Sequence, residues 1–417
     1  MIKTNSPWRN TNVWLLLGGQ WISQMGDVCF TIAIFWYVLA DTHSRQDLGW
    51  VGAATALTGV FSFLAGPWVD RWNRRKTMMT TDIVRFLFMA ATVLALFEVH
   101  RLPLVLILFL VAAINLGGAL FNPAQFALIP EVVDHEALEV VNGIDQSATS
   151  LAQWIGYGIG GIVLSIVGVI GLIGADAATF LVSASTLLGL KIRKNGDRPP
   201  ESARTIKTLW SEIITGQRTL WTHSFLQRAM PTALVVNLAM MALTVLDVAW
   251  ARQVLHGNAA LYGFLESAGV VGTIIGGLLA SRFLTGLRLK TRIMVSLFTA
   301  GLSLIGMAAL PLLATSLGAL VLVGAAFGIL NATMNTTIQR VVPGHVLGRI
   351  GGSIMAISAI STPIGAALAG WAGSLWPLPA VFMVSGALVA GMAVPFVWIP
   401  KDFETMDIAN SETASPY

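Results

Sequence analysis

Long apolar windows, each about as long as a bilayer core is thick, alternate with short polar breaks from Val13 to Trp398. Bounded by charges or by Pro and Gly, they predict helices over 13–40, 47–69, 77–97, 103–129, 141–166, 170–190, 229–251, 260–281, 292–313, 317–339, 351–371 and 379–399. The chain is therefore read as twelve membrane spans. The first run is too long for a signal-peptide core and has no small-residue cleavage site, so it is expected to stay as a span. The longest polar stretch, Lys191 to Arg228, divides six helices from six. The expected domains are a six-helix bundle over 1–190, a linker over 191–228, a second bundle over 229–400 and a polar tail over 401–417. Within the linker Ile206, Leu209, Trp210, Ile213 and Ile214 share one face of a helix whose other face carries Lys207, Glu212 and Arg218. Two readings stand for it: a helix lying on the membrane surface, or a solvated linker.

Composition agrees with the pattern. With 55% hydrophobic and only 11% charged residues, and a mean hydropathy of +0.74, a water-soluble enzyme is excluded. One cysteine, Cys29, allows no internal disulfide, and no Cys/His cluster offers a metal site. A pI of 9.4 raises nucleic acid as a partner, but the position of the cations has a simpler cause. Apart from Arg45, Arg101, Arg252 and the intramembrane Arg85, the other 21 of the 25 Lys and Arg fall in segments on the side of the termini. This bias predicts that both termini are cytoplasmic, in a multi-pass protein of the cell's inner membrane.

The halves also repeat each other. Asn122 lies eight residues before Pro130 as Asn335 lies eight before Pro343, and Gly66-x-x-x-Asp70-Arg71 recurs as Gly277-x-x-x-Ser281-Arg282 at nearly the same interval. Duplicated halves of this kind surround a central cavity near the bilayer midplane and rock about it. The stretch Gly66-Pro-Trp-Val-Asp70-Arg71-Trp-Asn73-Arg74-Arg75-Lys76 resembles the signature loop between helices 2 and 3 of the major facilitator superfamily, with Asn73 where a glycine is usual. Gly26-Asp27, Phe121-Asn122-Pro123-Ala124, Pro130-Glu131, Asn142-Gly143 and Asp176-Ala177 narrow the likeness to the macrolide-efflux-like branch of drug:proton antiporters. The antiporter signature of helix 5 appears as Gly156-Tyr157-Gly158-Ile159-Gly160-Gly161, without its proline. The resemblance implies a monomeric transporter that exports amphiphilic cationic or neutral compounds such as drugs or macrolides against protons. The same branch also resembles carriers of siderophores and lysophospholipids, which stands as the alternative.

No phosphate-binding loop is present, so an ion gradient rather than ATP is the expected driver, and no cofactor is called for. All six histidines are expected in loops, which leaves carboxylates as the titrating groups inside the membrane. Asp27 is the first candidate for proton coupling, because it shares a stripe with Gln20, Gln24 and Thr31 that is expected to face a wet cavity. Glu266 and Asp247 are the second-rank candidates, and for Asp247 a headgroup-level position weighs equally. Asp145 and Asp176 are expected to make helix-terminal or interhelical hydrogen bonds. Asp82 and Arg85, at i and i+3, are expected to pair with each other. Asn115, Asn122, Trp154 and Tyr157 complete the expected substrate cavity. By resemblance Gly66 and Asp70 belong to a gate, with Asp70 directed at the start of helix 11 near Gly351-Gly352-Ser353. Arg71, Arg74 and Arg75 are within reach of Glu131 or Asp134 as a charge latch, or serve only as topology cations. No catalytic constellation of His, Cys pair or Ser–Lys sits at membrane depth, which argues against an enzyme.

Overall fold

A computed structural model describes residues 11–69, 72–99, 101–133, 137–190, 224–282, 287–341 and 344–398. Their helices are α1 (Thr11–Thr42), α2 (Arg45–Val69), α3 (Arg74–Val99) and α4 (Leu104–Val132), then one run, Leu138–Leu188. That run breaks at Gly168, whose φ of 70° and ψ of 179° no helix contains and a Cβ would strain. The break makes α5 (138–167) and α6 (169–188). The second half holds α7 (Ser224–Ala249), α8 (Ala259–Arg282), α9 (Leu289–Ala309), α10 (Leu313–Val341), α11 (Gly344–Leu375) and α12 (Leu378–Gly391). Counted across Gly168, the described residues form twelve helical segments in two sets of six, as the apolar windows predict. With the run across Gly168 taken as one, nine helices among the described residues are long and apolar enough to cross a membrane.

Helix 11 begins seven residues before the predicted start, at Gly344, and so takes in His345, which corrects the expectation that every histidine lies in a loop. A polar residue at a helix end breaks the apolar window without breaking the backbone ladder. The linker reading over 206–214 lies outside the described residues. Leu94, Phe97, Val105, Ile166 and Leu278 are all more than half exposed on the outside of the bundle, where only lipid makes such exposure tenable.

An even number of crossings places the described ends of α1 and α12 together. The turns α1–α2, α3–α4, α5–α6, α7–α8, α9–α10 and α11–α12 lie at the other, far end. There the halves meet through α2 against α11 and α5 against α8. A methyl added at Gly370 would lie 2.5 Å from the Gly49 Cα, and one at Gly161 would lie 2.5 Å from the Ala259 carbonyl oxygen. Along the same α2–α11 pair the contact then relaxes. A methyl at Gly59 would stand 3.8 Å from the Ala359 Cα, and at Gly351 or Gly352 it would meet nothing within 4 Å. The α2–α11 contact is thus tight at the far end and looser at the other.

Arginine crosses this closed seam. Arg45 donates from Nε to Gln253 Oε1 (2.8 Å) and from Nη1 to the carbonyl oxygens of Gly373 (2.9 Å) and Trp376 (3.4 Å). Gln253 and Arg252 are presented by a π-helical turn, Trp250–Val254, and Arg252 lies 5.2 Å above the Trp36 ring of the first half. The turn is anchored by Trp250, which is buried, donates to Ser316 Oγ (3.1 Å) and meets Phe382 edge to face. Hydrogen bonds from a charged donor are worth about 1.5–3 kcal/mol. Arg45→Ala is therefore expected to shift the closed far end toward opening by roughly tenfold or more. Spin-label distances across the far-end turns, broadened or lengthened in the variant, are the check; an unchanged distribution would show that the glycine contacts alone hold the seam.

Candidate functional site

Within the first half, α1, α3 and α6 bring charged side chains together at membrane depth. Arg85 of α3 is ion-paired with Asp27 of α1, and its guanidinium lies 4.1 Å from the centroid of the Phe180 ring on α6. This corrects the expected pairing of Arg85 with Asp82: a long guanidinium side chain reaches across to α1, whereas Asp82 sits on its own helix and points toward Ser183. Asp82 is 0% exposed. Asp176, 1% exposed, stands against α1 where Gly26 leaves room, since a methyl at Gly26 would lie 2.1 Å from its Oδ1. Three carboxyl groups therefore surround one guanidinium, and Asp27, with 30% of its side chain exposed, is the least buried of the three.

A second cluster straddles the seam between the halves. Glu266 and the buried Tyr262 of α8, one turn apart, face Asp247 of α7 and Tyr157 of α5. Asp247 is 2% exposed and its Oδ1 has no hydrogen-bond partner, so it is a core residue and not a headgroup-level one. The next residue along α8, Ser267, donates to the Trp154 carbonyl oxygen (2.9 Å), which ties α8 to α5.

The expected stripe on α1 does not face water as a whole. Gln20 is buried at the α1 packing surface, Gln24 is half-buried, and the Thr31 hydroxyl donates back to the Asp27 carbonyl oxygen (2.9 Å). Asn115 is a brace inside the first half: it accepts from Thr58 of α2 (3.0 Å) and donates to the Val111 carbonyl oxygen (2.8 Å). Asn122 and Trp154 are exposed.

The profile of the major facilitator superfamily matches residues 16–366. The chain belongs to the major facilitator superfamily. It is 24% identical over 415 residues to the multidrug efflux pump Tap of Mycolicibacterium fortuitum, covering 95% of this chain and 97% of that protein. It is 27% identical over 380 residues to the multidrug efflux pump Tap of Mycobacterium tuberculosis H37Rv, covering 87% and 88%. Among solved structures, the nucleoside transporter NupG superposes with a TM-score of 0.73 at 11% identity, covering 93% of this chain and 98% of that one. A bacterial homologue of the iron transporter ferroportin, in an inward-facing state, gives 0.72 at 16% identity, covering 94% and 99%. This facilitator is a multi-pass membrane transporter.

Of the signature-loop residues, Asp70 and Arg71 lie outside the described residues, as does Asp134, and Gly66 is described only as part of α2. Arg74 is ion-paired with Glu131 and donates to the Ala127 carbonyl oxygen (3.1 Å). Arg75 donates to the Leu188 carbonyl oxygen at the end of α6 (2.6 Å). Both contacts join helices of one half, so they brace that half and do not bridge the two. Sequence reasoning passed over Arg45 and the grouping of Asp82 with Asp176. A signal for the grouping existed: Asp176, Thr179, Phe180 and Ser183 follow one another at helical spacing, so α6 carries a polar face that lipid would not tolerate.

Proposed function

We propose that this facilitator exports amphiphilic cationic or neutral compounds, of the drug and macrolide kind, in exchange for protons by alternating access. The observation that carries the reading is the pair of buried carboxyl clusters, Asp27–Asp82–Asp176 around Arg85 and Asp247–Glu266 at the seam. Buried acids hold a transferable charge, and an uncompensated one costs several kcal/mol. The likeness to Tap over nearly the whole chain supports efflux as the direction. The concentration of cations on the side of the termini supports a cytoplasmic location for that end, which makes the looser end of the α2–α11 contact the one that faces the cytoplasm.

In this scheme a substrate enters between the halves and reaches Asp27 and the exposed Trp154, whose indole offers a stacking face to a ring or a cation. The Asp247–Glu266 pair lies where α5, α7 and α8 converge and is wetted only when the seam opens. Proton arrival from outside and departure to the cytoplasm are thereby tied to which end is open. Gly66, Asp70 and Arg71 are proposed as the gate at the cytoplasmic end, with Arg74, Arg75 and Glu131 holding its frame.

The test is internal pH in proteoliposomes under an imposed proton gradient as ethidium, erythromycin or a lysophospholipid is added. Substrate-triggered proton movement is expected for the wild type. In Asp27→Asn the coupling is expected to vanish while downhill movement of the compound continues. If every compound leaves internal pH unchanged while lysophospholipid still crosses, the protein is a dedicated lipid carrier and the antiport reading fails.

A further inference from the structure

Seen down its axis, α5 has four faces. One meets α1: Asp145 accepts from the Trp21 indole (3.2 Å), a methyl at Gly156 would lie 3.2 Å from Val28 Cβ, and one at Gly160 would lie 3.2 Å from Cys29 Sγ. A second meets α8 of the other half, where methyls at Gly158 and Gly161 would touch Ser267 and Ala259. The two faces between these contacts differ in kind. One carries Leu151, Ile159, Ile162 and Ile166, all 40% or more exposed, as contact with lipid allows. The other carries Asn142, Gln146, Ser150, Gln153 and Tyr157 at steps of 4, 4, 3 and 4 residues, which keeps them in one stripe. Asn142 and Gln146 are exposed and the other three half-buried. A row of amides in a membrane span is tolerable against water or polar ligands but not against lipid, so this stripe lines the space between the halves. At 1.5 Å per residue it runs about 22 Å, from the end that carries the termini to the seam.

Glu266 stands at the deep end of the stripe, where Tyr157 faces it and the Tyr262 hydroxyl donates to its carboxyl group. Glu266 is half-buried whereas Asp247 is 2% exposed. Glu266 is therefore the member of the seam pair within reach of the stripe, and Asp247 is the one sealed until the seam opens. The charges at the two clusters also differ. Asp27 already has a cation, since Arg85 is ion-paired with it. Among the described residues no ion pair involves Glu266 or Asp247. An acid at membrane depth without a basic partner is the one whose charge a cationic ligand completes.

We propose that Glu266, and not Asp27, receives the positive charge of an exported organic cation, and that Asn142, Gln146 and Gln153 hydrogen-bond the polar groups along the rest of it. Each amide both donates and accepts, so the stripe takes hydroxyl, carbonyl and ether oxygens as readily as N–H groups. Discrimination then rests on one charge at the deep end, while the neutral remainder is bound permissively. The cargo defined in this way carries a positive group and further hydrogen-bonding groups spread over up to about 22 Å from it. Anionic amphiphiles are rejected by repulsion from Glu266. This assignment rests on the export reading and deepens it: it says where the charge of the cargo sits, and leaves Asp27 to the proton.

The test is ethidium binding to the purified full-length protein in detergent, read by ethidium fluorescence, with a melting temperature recorded for each variant. Glu266→Gln is expected to weaken binding about tenfold or more without lowering the melting temperature, as loss of a charge-assisted contact does. Glu266→Asp keeps the charge and is expected to retain most of the affinity. Asp27→Asn is expected to cost less affinity than Glu266→Gln. The stripe is tested in a Cys29→Ser background, since Cys29 is the one cysteine of the chain. There Ser150→Cys and Gln153→Cys are expected to react with a membrane-impermeant thiol reagent applied from the side of the termini, and more slowly with ethidium present, while the lipid-facing Ile162→Cys does not react. The proposal falls if the wild type does not bind ethidium, or if Glu266→Asp binds as weakly as Glu266→Gln. It falls equally if Asp27→Asn costs as much affinity as Glu266→Gln, or if Ser150→Cys and Gln153→Cys are both as unreactive as Ile162→Cys. None of these readouts uses a gradient. Ethidium binding through Glu266 without substrate-triggered proton movement would overturn antiport and keep this site, whereas intact proton movement with unchanged ethidium binding in Glu266→Gln would do the reverse.

Discussion

Gly370→Leu is expected to stop turnover by holding the far end apart. The methyl position at Gly370 already lies 2.5 Å from the Gly49 Cα and 3.0 Å from the Arg45 carbonyl oxygen, so an isobutyl group meets main chain on the opposite half. Backbone cannot yield as a flexible side chain does, and overpacking of a tight contact costs about 1–3 kcal/mol. That is a shift of roughly tenfold to a hundredfold against the closed far end. Transport needs both end states, so ethidium efflux is expected to fall by a similar factor while folding within each half is untouched. Spin-label distances across the far-end turns would report the opening directly. Gly351→Ala is the control, since a methyl there meets nothing within 4 Å. Equal activity in the two variants would mean that the α2–α11 contact is incidental to closure.

Removal of Arg85 is expected to be the most damaging single change in the first half. Arg85→Met keeps the apolar stem against Gly117 and Phe180 but leaves Asp27, Asp82 and Asp176 without a cation. Breaking a buried ion pair from one side costs about 3–5 kcal/mol, because the remaining charge has lost both water and partner. A melting temperature well below that of the wild type in detergent is the expected readout. Acid provides the sign check: a carboxyl that has taken up a proton needs no cation, so the gap between variant and wild type is expected to narrow as pH falls. Asp27→Asn in the Arg85→Met background is expected to recover part of the loss, since pair members do not add independently. A gap that stays constant with pH and resists the second substitution would show that Arg85 acts through packing alone.

The two predictions concern opposite kinds of residue, and they differ in how far sequence alone announces them. Asp27 stands out in an apolar run because the bilayer penalises charge, so its importance is legible without coordinates. Gly370 does not stand out. It is one of 41 glycines, and nothing local separates it from Gly351, which touches nothing. The seam cluster lies between these cases: Asp247 and Glu266 are each visible as acids in helices, but their meeting with Tyr157 of the other half is not.

Hydrophobic length, charge placement and the recurrence of Asn, Pro and Gly-x-x-x-Asp/Ser-Arg were enough to predict twelve helical segments in two halves, and the family came from the likeness of the Gly66–Lys76 loop to a known signature. Those properties are set by each segment's own exchange with lipid and water, which is a local quantity. The break at Gly168 alone carries two spans without a polar loop between them, and even there the apolar windows end at the right place. Partner choice was decided by tertiary structure. Arg85 has Asp82 one turn away and Asp27 across a helix interface, and only the packing of α1 on α3 and α6 selects Asp27. Gln20 and Asn115 read as cavity polar groups until the fold buries one and uses the other as a brace. The physical reason is that a helix presents polar groups in every direction, and which direction faces protein, water or lipid depends on neighbours hundreds of residues away in the chain.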